Sequence, residues 1–511
     1  MKKYYTGRTK ITIPVSRENF DKDPVRYIKH YLSSGVSKNN INKEEAEELK
    51  NIYKGIQSIW DKVRLNTDTR NNNQIEINHI FRQVEFKKGF MVGNPIDYSL
   101  GVSNKKTDDL TYLQKYFKDS AKASKDIDKY EDLYVCGISE QFIVPKTYNF
   151  DQEGEAPFEL YNIDIGNAFK VFSNDTTKTP LFDVVISETV DVNFRKKKQY
   201  EVYFINKNDG YAYYILFETP DVYSSNPFIK GSIIKQPFKF LPLIESELNK
   251  NRMGIVELVI SIQDGLNAIH SNQVDDIIDF VNAYLVFENQ QMGKDWEEKV
   301  KTFRKNRAIS IKSSNPQLPA KVSLLKQTLQ HTEINSFYEL LKKEMYDIVA
   351  VPQSSGNVTS GGDTGEARIL GNGWESSQNQ AKVDITYSLQ FEYDLLKKAI
   401  SCCKEKGVTT IGDIYASDID IKYSINMSNN ILTKTQALQN LYTMHVPYEE
   451  SLGIVGITSD NHGLAEKWAK FDEEAKTISM KMQSKNLGNE NANKDNNNDN
   501  SNNVSNSGTN G

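Results

Sequence analysis

Residues 252–283 set the terms for the rest of the chain. At about 100° per residue, Glu257, Asp264, Asp275 and Asp279 fall within a helical sector of roughly 60°. Ile255, Val259, Ile262, Leu266, Ile269, Ile277 and Phe280 gather on the opposite side, and Asp276 lies off the acidic stripe. A helix this long and two-faced must bury its apolar side against other elements. Its acidic side is either an ordinary solvated face or a lining past which a polyanion slides without sticking.

The flanking stretches add a second and a third helix. A helix is expected over Gln330–Val351, in which Ile334, Phe337, Leu341, Met345 and Ile348 repeat at helical spacing, and Pro352 stops it. The stretch Gln353, Ser354, Ser355, Gly356, Asn357, Val358, Thr359, Ser360, Gly361, Gly362 is built for a mobile loop. It is not a phosphate cradle, because no G-x-x-x-x-G-K-[ST] occurs in the chain. A further helix is expected from Asp363 or Thr364, with Gly371 and Gly373 marking either a kink or a close approach, and Gly407 ending it. Between the first two helices, 284–327 reads as a small unit with strand-like pieces at Ala283–Phe287 and Ala308–Ile311. Its Lys299, Lys301, Arg304, Lys305 and Arg307 form either a solvated surface or an electrostatic face for a partner.

Toward the N-terminus, helices are expected over 43–62, 78–88 (ending at Gly89) and 111–136. Residues 1–40 are polar and carry no clear period. From Gly137 to Leu243 the period becomes two: strands at Ser139–Val144 and Phe182–Ile186, and a hairpin turning at Asn208-Asp209-Gly210. Beyond Gly407 come a strand within Ile411–Asn426 and helices over 433–442 and 463–482. The Asn-rich tail 484–511 has no aromatic residue and is expected to be disordered. A chain of 511 residues with this alternation is α+β and multidomain.

Chemistry is sparse. The six histidines are scattered with no metal-ligand spacing, and no G-x-S-x-G elbow occurs. Cys136, Cys402 and Cys403 form no framework and are expected as buried small apolar side chains. No catalytic residue, metal or cofactor is expected. The remaining enzymatic alternative is a metal-dependent nuclease, or another DNA-processing enzyme, using Asp275, Asp276 and Asp279. The start Met1-Lys2-Lys3-Tyr4-Tyr5 lacks an apolar core, so no secretory leader is expected, and no run approaches a membrane span. A net charge of −5 does not mark a protein that grips nucleic acid.

Three blocks carry a resemblance. The first runs Pro242-Leu243-Ile244-Glu245, Leu248-Asn249-Lys250-Asn251-Arg252-Met253-Gly254, then Glu257, Asp264, Asn267, Ser271, Asp275 and Asn282-Ala283-Tyr284-Leu285. The second is Ser360-Gly361-Gly362-Asp363-Thr364-Gly365-Glu366-Ala367 with Gly371-Asn372-Gly373-Trp374. The third is Leu49, Tyr53, Gly55, Ile59 and Asn78, then Gly89-Phe90-Met91-Val92-Gly93-Asn94-Pro95-Ile96. In this order and spacing, over 45–405 and more loosely to 475, the chain resembles the portal (head-tail connector) proteins of tailed double-stranded-DNA bacteriophages, the family typical of long-tailed phages of Gram-positive hosts.

The resemblance implies a portal fold. An α+β wing would span 1–250, with the kinked helix 364–407 packed on it; stem helices would span 251–283 and 328–351. It further implies a small α/β clip at 284–327, a tunnel loop at 352–363 and a mainly helical crown at 408–483. The implied assembly is a closed ring of about twelve copies at one capsid vertex, a channel for DNA packaging and ejection. Glu257, Asp264, Asp275 and Asp279 would face that channel, Gln353–Gly362 would project beside the DNA, and the basic clip residues would dock partners. Those partners would be double-stranded DNA read without sequence specificity, the terminase large subunit, a head-tail adaptor, and the major capsid and scaffolding proteins, with no membrane. The implied location is the virion, after assembly in the host cytoplasm.

Overall fold

The computed structural model describes residues 6–62, 72–100, 107–190, 194, 196–219, 228–281, 285–289, 298, 301, 313, 315, 317–324, 331–353, 373–425, 431–455, 464, 465 and 467–478. The chain opens with β1 (Thr12–Ile13), α1 (Arg17–Phe20) and a long α2 (Pro24–Tyr53). Asp23 caps α2 through the Arg26 amide, and Pro24 sits at a first-turn position where no amide donor is needed. The helix therefore begins well before the expected residue 43. Its core stripe includes Gly35, Asn39 and Asn42, which carry no apolar signal. Gly35 packs on Phe169, Asn39 Nδ2 donates to the Gly166 carbonyl, and Asn42 bridges both backbone groups of Thr9.

α3 (His79–Val92) is capped by Asn78 and runs through Gly89, which does not end it as expected. Burial of Phe90, Met91 and Val92 in the core carries the helix one more turn. β2 (Asp97–Leu100) follows. The helix expected over 111–136 is two, α4 (Thr107–Asp119) and α5 (Lys122–Cys136), broken where Ala121 turns left-handed at φ 53°.

Nine strands lie in two sheets. β5 (Ala168–Ser173), β6 (Pro180–Val190), β7 (Lys196–Ile205), β8 (Ala212–Glu218) and β9 (Ile229–Lys235) form an antiparallel run, with β1 added parallel to β5. The 208–210 turn joins β7 to β8 as expected, in register Ile205↔Ala212. The second sheet is β10 (Leu243–Glu247), β3 (Ile138–Pro145) and β4 (Phe158–Ile163). Buried Lys170 and Lys398 both donate to the Leu243 carbonyl, while Asp183 accepts its amide, tying the two sheets together.

α6 (Ile255–Val281) and α7 (His331–Ile348) form an antiparallel hairpin. β11 (Leu285–Glu288) and β12 (Lys321–Leu324) pair antiparallel between them in sequence. α8 (Trp374–Glu405) then runs to Gly407, whose φ of 67° ends it as expected. β13 (Ile419–Lys422) pairs with β2, so the boundary expected at 408 falls inside a core shared by α4, β3, β4 and α8. α9 (Ile431–Thr443) and α10 (Tyr448–Val455) follow; Tyr448 stacks on Trp468 at 4.5 Å. Cys402 and Cys403 lie in that shared core and Cys136 in the neighbouring one, all free, their thiols pushed up by burial.

Candidate functional site

α6 begins where backbones crowd. A Cβ on Gly254 would stand 2.2 Å from the Val135 carbonyl oxygen, so only glycine lets the helix start against α5. Glu257 closes that start: its Oε2 accepts from the Gly254 amide at 2.9 Å and its Oε1 from Arg8 at 2.5 Å. Neither the Glu257 nor the Arg8 side chain is exposed. Burial pushes the Glu257 carboxyl up, and Arg8 and the backbone donors of Gly254 and Gly7 only partly oppose this.

One face of α6 works as a template for an extended segment. Asn267 Oδ1 accepts from the Ile77 amide, and Gln263 donates to the Ile77 carbonyl while accepting from the His79 amide. Ser271 Oγ accepts from the Ile75 amide; Asp275 accepts from Asn73 twice, from the amide at 2.9 Å and from Nδ2 at 2.7 Å. Gln57 Oε1 takes the remaining donor of Asn267 at 2.5 Å, and Ser58 donates to Asp264 at 2.7 Å. Side chains at helical spacing thus give residues 73–79 the bonds a neighbouring strand would otherwise supply.

At Glu257 and Asp275 this differs from the expected channel-facing stripe. The wheel placed these acids on one face, and residues 7, 8, 57, 58 and 73–79 of the same chain pack against that face. Glu257 and Asp275 are buried and bonded, and they do not look into an open passage. Asp264 keeps partial exposure, and the side chain of Asp279 lies outside the described residues. Sequence reading took Asn267 and Ser271 only as marks of resemblance and missed their structural part, together with that of Gln263. The recoverable signal was their spacing: positions 263, 267, 271 and 275 are four apart on one face.

His79 locks α3 to the hairpin. Its Nε2 lies 2.9 Å from the Tyr338 hydroxyl and its Nδ1 3.3 Å from that of Tyr346. Burial first, then Lys342, His270 and Arg82 nearby, hold the imidazole down to about 4. The ring is therefore neutral near pH 7.

The other candidates fall as follows. Of the tunnel loop only Gln353 is described, with Nε2 donating to the Lys343 carbonyl; Ser354, Ser355, Gly356, Asn357, Val358, Thr359, Ser360, Gly361 and Gly362 lie outside the described residues. Gly371 lies outside them too. Gly373 is left-handed at φ 81° and stands immediately before α8, as its N-cap residue. Ser377 donates to the Ala350 carbonyl at 2.6 Å, and Trp374 packs on Phe86 and Phe90, fastening the start of α8 to the end of α7 and to α3. Lys301 is helical; Lys299, Arg304, Lys305 and Arg307 lie outside the described residues.

Among the described residues, no three His, Cys, Asp or Glu side chains converge as metal ligands. Asp275, which the nuclease alternative requires, is enclosed by Asn73. No helix among the described residues is long and apolar enough to cross a membrane. Residues 36–478 match a family described as phage portal protein, SPP1 Gp6-like. No curated protein matches the chain.

Proposed function

The chain belongs to the SPP1 Gp6-like phage portal proteins, and from that premise we propose that copies of it close into a ring of about twelve at one capsid vertex. The family's role in the bacteriophage capsid and in DNA packaging is structural. Viral DNA passes through the ring during packaging and ejection, and the terminase large subunit, the head-tail adaptor, and the capsid and scaffolding proteins dock on its outer parts. A separate ATPase supplies the energy.

The observation that carries this reading is the family match over 36–478, which spans the hairpin, the small unit between its helices and the α8 region. In this assignment residues 1–250 with α8 form the wing, α6 and α7 the stem, and 284–327 the clip, whose β11–β12 pair supports it. The 352–363 loop reaches toward the DNA, and the crown begins after β13, because β13 belongs to the core below. Of the acidic stripe, Asp264 and Asp279 remain candidates to face the passage.

Native mass spectrometry of the purified full chain tests the reading. The expected result is a closed species of about twelve chain masses. A chain that stays monomeric or dimeric at micromolar concentration overturns it.

A further inference from the structure

Two groups of apolar side chains flank the hairpin and are left uncovered by the other described residues. On one flank stand Leu258, Phe337, Leu340, Ile348 and Val383, each about half exposed. Leu258, Ile348 and Val383 rim a cavity of about 130 Å³ between α6, α7 and α8. On the other flank stand Ile56, Trp60, Ile77 and Phe81, exposed by 63, 49, 37 and 48 %. Single exposed apolar residues are ordinary; two groups beside one rod are not.

The two groups look in different directions. α6 meets residues 57, 58 and 73–79 through Gln263, Asp264, Asn267, Ser271 and Asp275. Leu258, Ile262 and Ile269 lie roughly 150–170° round the helix from the centre of that contact. In the covering segment Gln57 and Ile59 are buried against α6, which turns Ile56 and Trp60 outward. Both groups sit at one height, since Gln57 meets Asn267 between the levels of Leu258 and Ile269.

Their charges are complementary. Along α7, exposed Glu333, Glu344 and Asp347 alternate with Phe337, Leu340 and Ile348 on one stripe without a base. Around the other group, Lys54, Lys62, Arg82 and Lys88 stand with Asp61, Glu76 and Glu85, a small excess of base. A surface whose opposite flanks match each other at one height joins head to tail and closes by rotation alone.

We infer that Ile56, Trp60, Ile77 and Phe81 of one copy seat against Leu258, Phe337, Leu340, Ile348 and Val383 of the next copy of this chain. The cavity between α6, α7 and α8 receives an apolar side chain of that copy, as buried anchors do at stable interfaces. This rests on the ring reading above and gives it an interface.

Two double variants of the full chain test it by sedimentation velocity. Leu258→Asp with Ile348→Asp spoils one flank; Ile56→Asp with Trp60→Asp spoils the other. The wild type is expected as a ring and each variant alone as a monomer. An equimolar mixture is expected to give a heterodimer and nothing larger, since one good flank remains on each partner; that dimer also shows both variants folded. Rings from either variant alone, or no dimer from two variants with native circular dichroism, overturn this interface and leave the ring reading standing. A monomeric wild type overturns both. Should a double variant not fold, Trp60→Gln and Leu258→Gln replace them, each expected to raise the concentration for assembly at least about tenfold; an unchanged concentration overturns the inference.

Discussion

We predict that Asn267→Ala loosens residues 73–79 while leaving the rest of the fold in place. Asn267 is fully buried; it accepts from the Ile77 amide at 3.1 Å and from Gln263 at 3.0 Å, and donates to Gln57 at 2.5 Å. Alanine keeps the helix but removes all three bonds. A lost bond with its buried partner left unpaired costs about 1–3 kcal/mol, and relaxation of Gln57 and Gln263 recovers part of the sum, leaving about 2–3 kcal/mol. If that energy is localised in opening of the segment, the Ile77 amide exchanges about 30- to 150-fold faster, since each 1.4 kcal/mol is a factor of ten. Hydrogen exchange read by mass spectrometry on peptides covering 73–79 checks this, with the β3 peptide 138–145 as an unchanged control. Acceleration below about threefold, or equal acceleration in the control, would refute the template account of α6.

Four further outcomes follow from the same contacts. Glu392 is fully buried, which alone would raise its carboxyl, yet Lys122 and then Lys129 hold it down to about 2. A depressed acid stabilises the fold above its unfolded value near 4.5 and loses that contribution as pH falls toward 2, so Glu392→Gln should flatten acid unfolding between those values in a circular-dichroism titration. The same variant leaves Lys122 with Asp126 alone and Lys129 unpaired by Glu392, and should cost about 3–5 kcal/mol at pH 7 in denaturant unfolding; a cost under about 1 contradicts the assignment. His79, held down to about 4, contributes stability above pH 6.5 that is lost as pH falls toward 4; its imidazole should titrate near 4 by NMR, and a midpoint near 6.5 would contradict the buried tyrosine clasp. Gly254→Ala should cost at least about 3 kcal/mol or give insoluble protein, since the added carbon meets backbone rather than a movable side chain; wild-type expression and stability would contradict the close approach.

How far the fold was legible depended on whether a signal was local. The 208–210 turn and the alternation of 200–217 named the β7–β8 hairpin outright, because turn chemistry and period agree there. The two-faced helix at 255–281 was legible for the same reason. α2 was not, since Gly35, Asn39 and Asn42 fill its core positions and find partners only in distant Phe169, Gly166 and Thr9. The acidic stripe shows the limit most clearly. A wheel groups Glu257 with Asp275, but which surface covers them is settled by Arg8 and Asn73, hundreds of residues away in sequence. The break at Ala121 is marked by no glycine or proline.

The account stands or falls on a three-dimensional map of the purified oligomer by electron microscopy. It predicts a ring with a central hole, the α6–α7 hairpins side by side around it, and Trp60 of each copy against the Leu258 flank of its neighbour. A particle with a filled centre, or one whose hairpins touch no neighbouring copy, would contradict it.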